Sequence, residues 1–395
     1  MMNPQFARRM TRFQESDLTP ILRLAANPDV ISFAGGLPAP ELFPVEDLKK
    51  VAVKVLDAHG RRALQYSATE GHLPLREKIA ARTNRNLKTS LTAENVVVTT
   101  GSQQSLDILA KMYIDEGDCI LCESPTYLGA LSAFNSCLPA YREVATDGEG
   151  MLIADLEKAL ASEKRAKMIY VIPDFQNPSG KTWSLERRKA FLEVVSKYDI
   201  LVVEDNPYGE LRFEGTTPPS LKSMDARGQV VMLGTFSKIF CPGVRVAWVC
   251  GEPAFLESFC NLKQAADLHT STISQYEIDA YLSDYDIEEH IKKLVSVYRE
   301  RRDLMIRTMD ATFPKEVVFT RPEGGLFTWA EMPEHVNARD LFLKALEKKV
   351  AFVPGGAFFP NGGHENTMRL NYSNMPPERI VEGIERLGAA IREYL

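Results

Sequence analysis

The sequence predicts an α/β protein, and three observations carry that expectation. Short β-branched runs alternate with longer amphipathic stretches from about residue 95 to 250, the pattern of strands joined by helices. After about residue 285 the character changes to long charged helical stretches with further apolar runs between them. Polar residues gather directly behind the apolar runs, where an open α/β sheet binds its ligands. A chain of 395 residues is long enough for one large domain and a smaller partner.

In chain order, the start MMNPQFARRMTRFQ is basic and poor in acids. It reads as a surface helix rather than a transit peptide, because serine richness and a cleavage pattern are missing. Helical character reaches Ala26, and the loop AGGLPAPELFP follows. The strand runs are NVVVTT (95–100), CILCES (119–124), KMIYVIP (167–173), DILVVED (199–205), QVVMLG (229–234) and VRVAWVC (244–250). Helices such as SQQSLDILAKMYI and SLERRKAFLEVVSKY separate them. The second opens with Ser184 as N-cap, and Arg187 stands where a capping box would place Glu or Gln, so a plain cap is expected. Beyond lie the helix EEHIKKLVSVYRERRDLMIRTM, the strands TRPEGGLFTWAEM and VAFVPGG, and a last helix after Pro376 and Pro377. The expected division is an N-terminal segment and lid over 1–45, a large domain over 46–285 and an α+β domain over 286–395.

Composition narrows the function. Charged residues at 25% and hydrophobic ones at 45% balance as in an ordinary soluble globular chain. A formal net charge of −6 gives nucleic acid no reason to bind. No apolar run approaches the length that crosses a bilayer. Cys119 and Cys122 form a CxxC inside a strand run, where residues three apart face opposite ways and share neither a metal nor a bridge. With no second CxxC and no HExxH, no metal is expected. The cysteines read as reduced thiols of a cytoplasmic protein.

The strand ends hold the chemistry. Behind NVVVTT stand Gly101, Ser102 and Gln103, opening a helix, where free N–H groups and the positive dipole end favour a phosphate; a serine-capped glycine turn reads equally well from these three alone. Thr235 and Ser237 add hydroxyls, and Arg245 in PGVRVAWV adds a bidentate donor. Lys238 follows an apolar strand among small residues. It is either a solvated strand-end charge or a desolvated amine able to bond a carbonyl carbon. Asp205, ending another apolar strand, tips the balance. Pyridoxal-phosphate (PLP) chemistry needs a lysine at one end of the cofactor and a carboxylate against the pyridinium nitrogen at the other.

The motifs TGSQQ, SPTYLGA, PDFQNPSG, VVEDNPYGEL, TFSK, PGVRVAW and MRLNYS together resemble class I/II aminotransferases of PLP fold type I. More narrowly, ISFAGGLPAPELFP, LQYSATEGHLPLR, KQAADLHT and VAFVPGGAFF are similar to the branch holding bacterial 2-aminoadipate (LysN-type) and kynurenine/aminoadipate aminotransferases. The resemblance spans nearly the whole chain, with motifs in the family's order. It implies a mostly parallel seven-stranded sheet between helices, plus a smaller α+β domain built from both termini.

By matching position, the resemblance makes Lys238 the residue that holds PLP and moves the proton, and Asp205 the partner of the ring nitrogen. Asn177 and Tyr208 would bond the phenolic oxygen, and Tyr127 would stack on the ring. Gly101, Ser102, Gln103, Thr235, Ser237 and Arg245 would surround the phosphate, although Thr235 stands where close relatives often have Ser. Arg369 would grip the substrate α-carboxylate, with Asn177 beside it and Gly36 against the substrate. Tyr66 would reach the neighbouring subunit's site, implying a homodimer. One departure concerns specificity: aminoadipate-specific relatives carry an arginine in the helix before AGGLP, and that position here is Thr19. Arg23 lies one helical turn on, so either Arg23 substitutes or the enzyme favours neutral and aromatic side chains.

The expected activity is amino transfer from an L-amino acid to a 2-oxo acid such as 2-oxoglutarate, with ping-pong kinetics. A PLP-dependent β-lyase uses the same lysine and aspartate and is the alternative. A ligand-sensing regulator module is less favoured, since about thirty residues before ISFAGG leave no room for a DNA-binding domain.

Overall fold

The computed structural model describes residues 5–13 and 27–395. Arg8–Arg12 form a short, exposed 3-10 helix. The helical stretch expected up to Ala26, including Thr19 and Arg23, lies outside the described residues.

A two-residue strand, β1 (Ile31–Ser32), precedes the main sheet. That sheet uses β2 (Val96–Thr99), β3 (Cys119–Ser124), β4 (Ala140–Asp147), β5 (Gly150–Met151), β6 (Ala166–Val171), β7 (Leu201–Asp205), β8 (Val230–Thr235) and β9 (Ala247–Cys250). Their order is β2-β9-β8-β7-β6-β3-β4-β5. The expected seven strands are present, and the eighth, β5, is a two-residue antiparallel return from β4. β9 runs antiparallel to both its neighbours, so β2 again points the same way as β8, β7, β6, β3 and β4.

Alternation along the central strands builds a core on each face. Ile120, Met168 and Tyr170 join one apolar cluster, while Cys119, Leu121, Ile169 and Val171 join the other, as period-two side chains must when helices cover both sides. The helix Ser102–Tyr113 buries Leu106, Leu109 and Ala110 in the first cluster. On the other side, Leu185–Val195 buries Phe191, Val194 and Val195. Ser184 caps that helix, its side chain accepting from the Arg187 amide. All six cysteines are free.

The C-terminal part adds β10 (Val318–Phe319), β11 (Phe327–Glu331), β12 (Val350–Ala351), β13 (Val353–Pro354) and β14 (Thr367–Asn371). β10-β11-β14-β13 make an antiparallel sheet. The run VAFVPGG is thereby split, because β12 leaves that sheet and pairs in parallel with β1. Helices Ile287–Thr312 and Pro377–Tyr394 pack on one another. Several bonds stitch down the segment after β1. Asn371 N–H donates to Phe33 O at 2.9 Å, Ser373 Oγ to Leu37 O at 2.7 Å, and Ala39 N–H to the Tyr298 hydroxyl at 3.0 Å. A glycine makes this path fit, since a Cβ on Gly383 would lie 2.6 Å from the Phe33 ring.

Candidate active site

The strand directions decide what meets at the sheet edge. β2, β6, β7 and β8 deliver the residues behind their carboxyl ends. β9 runs the other way, so its amino end brings Arg245 to the same edge. Ser102, Gln103, Tyr127, Asp205, Tyr208, Thr235, Ser237, Lys238 and Arg245 line one cavity with about 610 Å³ of empty space.

At one end the chain is shaped for an anion. Gly101 takes φ +76° immediately before the helix beginning at Ser102, in the left-handed region that favours glycine. A Cβ there would lie 2.0 Å from an Arg245 guanidinium nitrogen, so the helix N-terminus and the guanidinium occupy one place. Arg245 itself sits at φ +53°. Thr235 Oγ1 donates to Ser237 Oγ at 2.9 Å and accepts from the Ser237 amide at 3.0 Å, which fixes both hydroxyls. Ser102 Oγ is buried with no partner among the described residues. Gln103 turns its side chain away, donating to Gly129 O at 2.7 Å, which leaves its backbone N–H as its contribution to this end.

Lys238 stands in the middle. Burial, and then the positive charges of Arg369 and Arg245, push its amine down to about 8, so a minority of about one fifth is neutral near physiological pH, far more than for an exposed lysine. Its Nζ donates to Gly36 O at 2.8 Å, which places the N-terminal segment over the amine. Asp205, the last residue of β7, is 3% exposed. Burial raises its carboxyl to about 6, and a hydrogen bond from Tyr170 works against that rise. Oδ2 accepts from the Tyr170 hydroxyl at 2.8 Å, whereas Oδ1 has no partner among the described residues.

A third group forms a relay. Asn177 Nδ2 donates to the Tyr208 hydroxyl at 3.3 Å, and Arg369 donates to Asn177 Oδ1 at 2.9 Å and to Ala34 O at 2.7 Å. The Arg369 guanidinium lies 4.4 Å from the Phe327 ring centre and 5.2 Å from that of Phe358. Its Nε is buried and unpartnered among the described residues. A charge held between aromatic faces with an open donor is arranged for a carboxylate.

Tyr66 is not at this cavity. It is 78% exposed, with its ring edge-on to His269 at 5.8 Å. Arg23 lies outside the described residues. Several residues at the site escaped the sequence reading: Tyr170, Phe327, Phe358 and Ala34. Another is Glu123, which accepts from Ile172 N–H and Trp183 Nε1, both at 2.9 Å, and so braces the loop carrying Asn177. Tyr170 and Glu123 sit inside apolar runs and Phe327 begins one, so they read as strand interior; only the carboxylate of Glu123 within CILCES was out of character.

A buried amine and a buried carboxylate that line one cavity together with Ser102 and Arg245 are groups that suit an enzyme built around a phosphorylated aromatic cofactor. The chain belongs to the aminotransferase class I and II family, whose model matches residues 28–387, and it is a PLP-dependent aminotransferase. It is 42% identical over 394 residues to aromatic-amino-acid aminotransferase 1 of Thermococcus litoralis, covering 99% of this chain and 94% of that protein. It is also 42% identical over 393 residues to the 2-aminoadipate transaminase of Thermus thermophilus, covering 99% and 97%. The crystal structure of Pyrococcus horikoshii kynurenine aminotransferase in complex with PMP superposes with a TM-score of 0.95 at 38% identity, covering 99% of this chain and 97% of that one.

Proposed function

We propose that the protein moves amino groups from neutral, aromatic and acidic L-amino acids to 2-oxoglutarate, acting with pyridoxal 5′-phosphate as a cytoplasmic homodimer. The carrying observation is a set of buried polar atoms without a partner among the described residues: Ser102 Oγ and Asp205 Oδ1, whose residues line one cavity, and Arg369 Nε, whose guanidinium bonds Asn177 beside Tyr208 of that cavity. Open groups of this kind are costly unless a ligand satisfies them, and their chemistry suits PLP and an amino acid. Gly101, Ser102, Gln103, Thr235, Ser237 and Arg245 would hold the phosphate. Asp205 would face the ring nitrogen, Tyr127 the ring, and Asn177 with Tyr208 the phenolic oxygen. When bound, the cofactor supplies a carbonyl carbon for the amino group and an electron-poor ring that stabilises the charge left at Cα.

The protein's own residues do the rest. Arg369 binds the α-carboxylate and, through Asn177, registers it against Tyr208. Lys238, with its lowered proton affinity, takes and returns the Cα proton at Nζ. The segment at Gly36 closes over it and limits water. One site serves donor and acceptor in turn, which gives ping-pong kinetics. The exposed Tyr66 is assigned to the second copy's site. The six unpaired cysteines suit a reducing compartment. Division into 1–45, 46–285 and 286–395 remains part of the proposal.

A test combines loading with a screen. Borohydride treatment of the purified protein should fix the cofactor on the peptide holding Lys238, and L-amino acids should bleach its visible band. Rates with 2-aminoadipate, glutamate, leucine, phenylalanine and kynurenine should lie within about two orders of magnitude. Arg23→Ala should selectively lower the acidic substrates and Thr19→Arg should raise them. A protein that takes up no cofactor ends this reading; acidic-to-neutral rate ratios that ignore both variants remove Arg23 from the specificity pocket.

A further inference from the structure

We propose that Tyr170 is a positioning residue for the reaction, which holds Asp205 ionised and turned so that one carboxylate oxygen is kept for the cofactor. The inference rests on the site reading above and adds a residue that touches neither substrate nor cofactor.

The geometry is specific. Tyr170 lies on β6 opposite Val203 of β7, and Asp205 follows Val203 by two residues, on the same face of the sheet. The Tyr170 hydroxyl donates to Oδ2 at 2.8 Å, while Oδ1 stays open. A carboxylate pinned at one oxygen can rotate only by breaking that bond, so the free oxygen has one direction. The tyrosine is itself held: it is 1% exposed, and Phe134 packs against its ring at 5.5 Å with an interplanar angle of 78°. A donor to the charged form also favours that form, which opposes the burial that drives Asp205 toward protonation. A neutral or turned Asp205 could not keep a proton on a pyridine nitrogen. Tyr170 therefore acts through Asp205, from a position that a sequence reader assigns to the core.

The test is a double-mutant cycle read on cofactor affinity as well as turnover. Tyr170→Phe keeps the ring and its packing on Phe134 and removes only the donor. In the otherwise native enzyme we expect kcat to fall about tenfold with KM within about twofold. The Kd for PLP, measured by visible absorbance, should weaken about tenfold, the scale of one hydrogen bond to a charged group. In the Asp205→Asn background the same substitution should change that Kd by less than about twofold. Equal losses in both backgrounds, or no loss in the native one, overturn the proposal. If Tyr170→Phe alone proves unstable, the double variant should recover its melting temperature, because the stranded carboxylate is gone; a double variant no better than the single one counts against the coupling. A native protein that binds no PLP fails earlier and overturns the site reading too.

Discussion

Lys238 shows how much of the chemistry is set by surroundings rather than residue type. An exposed lysine is almost wholly protonated at neutral pH, but burial and the two guanidinium groups bring this amine down to about 8. In cofactor-free protein the labelling of Lys238 by a small amine-directed reagent should therefore climb through about pH 8, whereas that of exposed lysines climbs nearer 10.5, as peptide mass spectrometry would show. The stability linkage has a fixed sign. The folded amine binds its proton less tightly than the ordinary 10.5, so its contribution to stability rises from about pH 8 to 10.5 and is least favourable below that window. The residues legible in the sequence were those out of place for their element: a lysine and an aspartate behind apolar strands, an arginine before one. Tyr170 was illegible because a tyrosine within KMIYVIP is what a buried strand is expected to hold.

Strand direction accounts for what could and could not be read at the next scale. Parallel strands send their following residues to a common edge, so Gly101, Asn177, Asp205 and Lys238 could be grouped from strand assignments alone. Arg245 could be grouped only by its motif, because its arrival depends on β9 running backwards, which no local pattern records. β4 was missed for another reason. Its residues are mostly half-exposed or exposed, and AYREVATD lacks the apolar density of its neighbours. The turn into the helix at Ser102 is the most constrained junction. Gly101→Ala should introduce strain of about 1–3 kcal/mol and displace Arg245. We expect affinity for pyridoxal phosphate to fall at least tenfold while affinity for unphosphorylated pyridoxal changes little, as paired absorbance titrations would show.

Across the whole molecule, the site is closed by a segment that owes its course to distant partners. Gly383, on the C-terminal helix, leaves the space through which Phe33 passes. Gly383→Ala should crowd that path at a cost of about 1–3 kcal/mol. It should also loosen the contacts of Ala34 and Gly36 with Arg369 and Lys238. The expected readouts are a lower melting temperature and a raised KM for every amino acid tried; a loss of stability with KM intact would mean that the segment shifts without disturbing the site.

The pairing of Ile31 with Val350 also bears on how the protein is born. A ribosome releases the opening residues long before their strand partner exists, so the nascent chain must carry its future roof unattached through most of synthesis. A polypeptide stopped ahead of β12 would hold every strand of the large sheet and still have an uncovered amine at Lys238. Competence to exclude water from that amine thus arrives late, as a by-product of finishing the molecule.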